Sequence, residues 1–90
     1  MANVIITLRI MPESPSSNLK EIESKSKELI ENLGGYFGKS EIEPIAFGLK
    51  SVNIIFSWPE VNGDTDPLEQ KIKEIKEVES AEVISVTRSL

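Results

Sequence analysis

Neither histidine nor cysteine occurs in this 90-residue chain. That removes imidazole acid-base catalysis, thiolate chemistry, disulfides and the usual zinc sites together. A catalyst built from what remains needs paired carboxylates, an activated serine or an arginine-based phosphate site. Glu41 and Glu43 stand two apart and share a face if they lie on a strand. Nothing around them predicts the desolvation that would turn one into an acid, so they read as solvated edge charge. Ser14, Ser16 and Ser17 sit in a polar stretch with no base alongside. Gly34-Gly35-Tyr36-Phe37-Gly38 has the glycines of a phosphate loop but follows a helical pattern instead of opening one. No GxxxxGK[ST] or GxGxxG run occurs. The chemistry left is that of contact.

One place suits contact by its residue types. Pro44-Ile45-Ala46-Phe47-Gly48-Leu49-Lys50 is a short apolar run holding an aromatic and a glycine between two strand-like segments. It reads as a hairpin bend in which Gly48 permits a positive φ or a close backbone approach. Phe47 either projects as a contact residue or tucks under a neighbouring helix as core; spacing alone leaves both open. Arg88, with only Ser89 and Leu90 beyond it, is able to reach outward from a final strand. Its plain reading is a surface arginine pairing weakly with Glu82 or another neighbour.

The elements that hold these places follow from hydrophobic period. Val4, Ile6, Leu8 and Ile10 alternate as one face of a first strand, which Met11-Pro12-Glu13-Ser14-Pro15 is expected to stop. Leu19, Ile22, Leu29 and Leu33, widened by Ile30 and with Ser26 as a gap, mark one face of a helix. Asn18 and Glu21 are placed for a capping box, and Gly34-Gly35 supplies the stop. A second strand is expected from Tyr36-Phe37 through Ile42, and a third from about Leu49 to Trp58. After a turn at Asn62-Gly63-Asp64, Asp66-Pro67-Leu68-Glu69 opens a second helix, with Asp66 as N-cap and Pro67 first inside. Leu68, Ile72 and Ile75 form its buried face, and Val83 to Arg88 a last strand with Ile84 and Val86 on one face.

The order βαββαβ predicts an α+β ferredoxin-like plait: a four-stranded antiparallel sheet with both helices on one face. The first and last strands are expected to be adjacent and central. The open face should present Ile5, Thr7, Arg9, Ser51, Asn53, Ile55 and Ser57, either as half-wet sheet or as a docking surface.

Length and charge bound the function. Ninety residues make one domain, 1–90, which buries roughly 60 to 65 % of the surface its unfolded chain exposes. Fifteen acidic against ten basic residues, a net charge of −5, repel nucleic acid and anionic membranes and suit a neutral or basic protein partner. The start runs directly into Val4-Ile5-Ile6-Thr7-Leu8 with no basic region before it, so neither leader nor anchor is expected and the cytoplasm is the expected compartment. An RNA-binding plait would carry aromatics on its open face, whereas Phe56 and Trp58 fall in phase with Val52 and Ile54 on the helix-covered face. The arginine and asparagine cradle of acylphosphatases, which share the plait, is not recognisable. A small-ligand-binding regulatory module of the same fold remains the alternative to a protein-interaction domain.

The run Pro44-Ile45-Ala46-Phe47-Gly48-Leu49-Lys50, together with Val78-Glu79-Ser80-Ala81-Glu82-Val83, resembles the two most recognisable motifs of the guanine-nucleotide-exchange domain of translation elongation factor 1-beta, in its short archaeal form. The likeness covers nearly the whole chain. It implies a cytoplasmic exchange factor, not an enzyme and without cofactor or metal. Its role would be to promote GDP release and GTP loading on elongation factor 1-alpha, with no direct contact to nucleic acid. The long N-terminal assembly region of eukaryotic members has no counterpart here, so a free-standing domain, monomeric when free, is expected. Partner-binding residues implied by the resemblance are Phe47, Gly48, Lys50, Ser80 and Arg88. The eukaryotic members have lysine where Arg88 stands. The implied mechanism pushes this cation toward the GTPase's magnesium while the aromatic wedges elsewhere.

Overall fold

A computed structural model describes residues 3–88; Ser89 and Leu90, named above as lying beyond Arg88, fall outside them. The elements are β1 (Asn3–Pro12), α1 (Leu19–Asn32), β2 (Tyr36–Pro44), β3 (Lys50–Pro59), a 3₁₀ turn (Glu60–Asn62), α2 (Asp66–Lys73) and β4 (Val78–Arg88). The sheet has four strands in the order β2-β3-β1-β4, with every neighbouring pair antiparallel. This is the expected plait with one correction: β1 and β4 are adjacent, but β1 and β3 are the central strands and β4 is an edge. The physical reason is composition. β3 buries Val52, Ile54, Phe56 and Trp58, and β1 buries Ile6, Leu8 and Ile10, whereas β4 from Ile84 onward is exposed.

The core is the helix-covered face of β1 and β3 closed by Ile22 and Ile30 from α1, Leu68 and Ile72 from α2, and Val78 and Ala81 from β4. Phe56 and Trp58 meet edge to face, with centroids 6.0 Å apart at 82°. The Trp58 indole N–H donates to the Gly63 carbonyl at 3.0 Å, tying the end of β3 to the loop that follows it. Ser26 is the exception in the core. It lies on the buried stripe of α1 with its side chain fully enclosed, and its hydroxyl has no hydrogen-bond partner. A buried orphan hydroxyl costs about 1 to 3 kcal/mol, so Ser26→Ala should raise stability by about 1 kcal/mol and move the urea midpoint upward. A lower midpoint would show that the hydroxyl is satisfied.

Local signals set the helix ends. The Asn18 side chain accepts from the Glu21 N–H at 3.1 Å, which is half of the expected capping box. The reciprocal half is replaced: the Asn18 N–H donates to Glu77 at 3.4 Å, and Glu21 pairs with Lys25. At the other end the Gly35 N–H reaches the Ile30 carbonyl at 2.9 Å and the Gly34 N–H the Glu31 carbonyl at 3.2 Å, a Schellman closure made possible by the Gly34 φ of 95°. In α2 the N-cap is Thr65, one residue earlier than expected, because Asp64 turns its carboxylate onto the Asp66 N–H at 3.3 Å and leaves Asp66 inside the helix.

Strands run longer than their apolar patterns. β1 continues through Met11 and Pro12, opposite Ser80 and Val78, with a register shift at the proline. β4 starts at Val78 instead of Val83, so the run from Val78 to Val83 is strand. Glutamates within it hide its period in the sequence. A bulge at Ile84, between Val83 opposite Leu8 and Ser85 opposite Thr7, breaks the alternation that was to put Ile84 and Val86 on one face. On the open face Ile5, Thr7, Arg9, Asn53, Ile55 and Ser57 are half-buried as expected, while Ser51 is fully buried and donates to Asn53 at 3.3 Å.

Candidate functional site

The β2–β3 connection is a tight turn whose geometry is set by two hydrogen bonds. The Leu49 N–H donates to the Ala46 carbonyl at 2.9 Å, and the Ile45 N–H donates to the Leu49 carbonyl at 2.9 Å. Between them stand Phe47 with φ 54° and Gly48 with φ 79°, both left-handed, as in a type I′ turn. Glycine meets that requirement without strain at the second position. Phenylalanine does not at the first: positive φ is an outlier for a bulky residue, and an asparagine there would be the ordinary choice. The Phe47 ring is 97 % exposed. Of the two readings left open by spacing, projection is the one observed; the ring does not tuck under a helix.

An unfavourable backbone conformation and an unburied aromatic at the same residue are two local costs with no return inside this chain. Beside it Ile42 and Ile45 are 48 % and 46 % exposed, giving the hairpin an apolar end. Lys50 is exposed at the start of β3 opposite Pro44. Ser80 is half-buried on β4 opposite Met11, toward the same end of the sheet. Phe47, Gly48, Lys50 and Ser80 therefore belong to one end of the sheet.

Arg88 belongs to the other. It ends β4 opposite Val4, which in turn lies opposite Trp58 near the end of β3. At about 3.4 Å per residue the run from Lys50 to Trp58 puts roughly 27 Å between the two ends, in a molecule whose long axis is 42 Å. The Arg88 side chain is 74 % exposed but bound: its Nη2 lies 3.0 Å from Glu60 Oε1 in the 3₁₀ turn. Of the weak partners expected, Glu82 or another neighbour, it is another neighbour that is found; Glu82 lies opposite Arg9 in the β1–β4 register. Val61, next to Glu60, is 73 % exposed, and Val86, two residues before Arg88, is 61 % exposed.

Glu41 and Glu43 are exposed on β2, and Glu43 takes a contact from Arg9 at 3.4 Å, so the only closely spaced carboxylates considered for catalysis are edge charge. Among the described residues no cluster of three or more acidic side chains is placed to hold a metal ion. A concavity of about 390 Å³ between α1 and α2 is lined by Lys25, Glu28, Leu29, Lys71, Glu74 and Ile75 among others. It is a groove of solvated mixed charge.

The plait thus presents a strained, projecting hairpin at one end and an ion-paired arginine at the other. Residues 5–88 match the model of the EF-1 guanine nucleotide exchange domain, and the chain belongs to that family. It is 42 % identical to elongation factor 1-beta of Nanoarchaeum equitans over 82 residues, 91 % of this chain and 100 % of that one. Against elongation factor 1-beta of Methanococcus vannielii it is 39 % identical over 97 % of this chain and 98 % of that one. With the Pyrococcus furiosus protein of the same name the identity is 41 %, over 96 % and 94 % of the two chains. Among solved structures the ACT domain from GTP pyrophosphokinase of Chlorobium tepidum superposes with a TM-score of 0.60 at 15 % identity, covering 91 % of this chain and 99 % of that one. At that identity the likeness concerns the fold alone.

Proposed function

We infer that this chain is a guanine nucleotide exchange factor that promotes GDP release and GTP loading on elongation factor 1-alpha. It acts by binding the GTPase and makes or breaks no covalent bond. The observation that carries the mechanism is Phe47, fully projecting and held left-handed at the hairpin tip. Gly48 completes the turn, and Lys50 and Ser80 border the same end of the sheet. Arg88 is the second contact. By linkage, a factor that weakens nucleotide binding is itself weakened by nucleotide to the same extent. Each contact must therefore oppose something that holds nucleotide. A cation delivered beside the phosphates competes with the magnesium ion bound there, and a ring wedged elsewhere holds the shifted conformation. Separation of the two ends suits contacts at two places on one partner.

The net charge of −5 supports a partner that is protein and not nucleic acid. No helix of the described residues is long and apolar enough to cross a membrane, and a cytoplasmic monomer fits the reading. Mixing the purified chain with elongation factor 1-alpha loaded with fluorescent GDP should accelerate release at least tenfold, saturably, with excess unlabelled nucleotide present. No acceleration, with a thermal shift on adding small metabolites, would favour the ligand-binding regulatory module instead.

A further inference from the structure

Arg88 is not presented outward as a free cation. From the edge strand β4 its side chain lies back across the end of the sheet toward the turn that follows β3, where Glu60 Oε1 meets Nη2 at 3.0 Å. Because β1 stands between β4 and β3, the contact spans two strand spacings, about 10 Å. Pro59, extended at φ −64° and ψ 133°, starts the 3₁₀ turn that carries Glu60. The Glu60 side chain is 37 % exposed against 74 % for Arg88, so the carboxylate is the more enclosed partner. A single Nη2 contact leaves most of the guanidinium donors unused.

We propose that Glu60 is an intramolecular competitor for Arg88, which the chain must release before the guanidinium can engage an oxyanion on the partner. This rests on the reading of Arg88 as a partner contact. A monodentate, exposed pair is weak and salt-screened, whereas a two-pronged oxyanion site, carboxylate or phosphate, holds arginine through two parallel bonds. Docking at a site that offers such an oxyanion displaces Glu60, and salt weakens the same pair by screening it. Glu60 thereby competes with the partner for the cation and modestly lowers how readily the exchange step begins.

The test is a double-mutant cycle of Glu60→Gln and Arg88→Ala, read as fluorescent GDP release from elongation factor 1-alpha at sub-saturating exchange factor and low salt. Glutamine keeps the shape and removes the charge. An exposed pair shifts an equilibrium by no more than about fivefold, so Glu60→Gln should raise the apparent kcat/KM two- to fivefold, mostly through KM, and the gain should shrink as salt rises. In the Arg88→Ala background, where release is slow and affinity for nucleotide-free elongation factor 1-alpha is read instead, the same substitution should change nothing although it tightens binding when Arg88 is present, and Glu60→Asp should fall between glutamine and wild type. A purely structural Glu60 would not give a gain confined to chains that retain Arg88. A Glu60→Gln rate at or below wild type, or an equal gain with and without Arg88, overturns the proposal. The reading of Arg88 itself is judged separately, by whether Arg88→Ala alone slows release.

Discussion

Phe47→Ala is expected to slow nucleotide release by thirtyfold or more, about 2 kcal/mol, the size of a contact that dominates an interface, while changing stability by less than about 1 kcal/mol. The reasoning begins with what alanine does not remove. The ring is 97 % exposed, so no core packing is lost; a buried phenylalanine would cost about 3 to 5 kcal/mol on truncation. Alanine keeps a Cβ, so the penalty of the 54° φ persists and stability does not rise much either. Phe47→Asn separates the two properties further. Asparagine suits the first central position of a type I′ turn, and relief of left-handed strain is worth on the order of 1 kcal/mol, so this variant should unfold at higher denaturant while exchanging as poorly as the alanine form. Urea denaturation and fluorescent GDP release on the same preparations check both halves. A stability loss near 3 kcal/mol would make Phe47 structural, and wild-type exchange by either variant would end the contact assignment.

That opposition between stability and function explains which parts of the molecule were legible in the sequence. The period-2 pattern of β1 and β3 and the stripe of α1 are the same apolar residues that form the core, so element order and plait followed from them directly. Asn18 and Gly34-Gly35 were readable as caps because each does one local job. The edge strand was not legible to the same extent. β4 has half its length outside the core, and Glu79 and Glu82 interrupt its pattern, so its first residues and its bulge at Ile84 come from pairing with β1 and not from its own composition.

Phe47 illustrates the other limit. Gly48 marked a turn, but whether the residue before it pointed in or out depended on the turn's hand, which two backbone hydrogen bonds and two positive φ angles fix. For Arg88 the residue type announced a cation, while its partner was out of reach of sequence reasoning: Glu60 lies on another element, brought near only because β1 and β3 carry the end of the chain past the turn after β3. Proximity in sequence favoured Glu82, and the β1–β4 register places that residue opposite Arg9.

Arg88→Ala is expected to nearly abolish GDP release in millimolar magnesium, to leave the fold intact, and to lose much of its effect when a chelator removes the ion. Stability is little affected because the pair with Glu60 is exposed on both sides and such pairs are worth at most about 1 kcal/mol. The dependence on magnesium follows from the mechanism: if the cation works by opposing the ion that fastens nucleotide to the GTPase, removing the ion does the cation's task, and the variant and wild type converge. Arg88→Lys then distinguishes two ways of opposing it. A lysine ammonium is a compact point charge able to stand where an ion stands, whereas the guanidinium is planar and grips an oxyanion through two donors. Retained activity with lysine means that charge near the ion is what matters; a loss approaching that of alanine means that Arg88 holds a carboxylate or phosphate through its fork. Stopped-flow release at several magnesium concentrations reads all of these variants. Unchanged exchange by Arg88→Ala in millimolar magnesium would remove the cation from the mechanism and leave the hairpin to act alone.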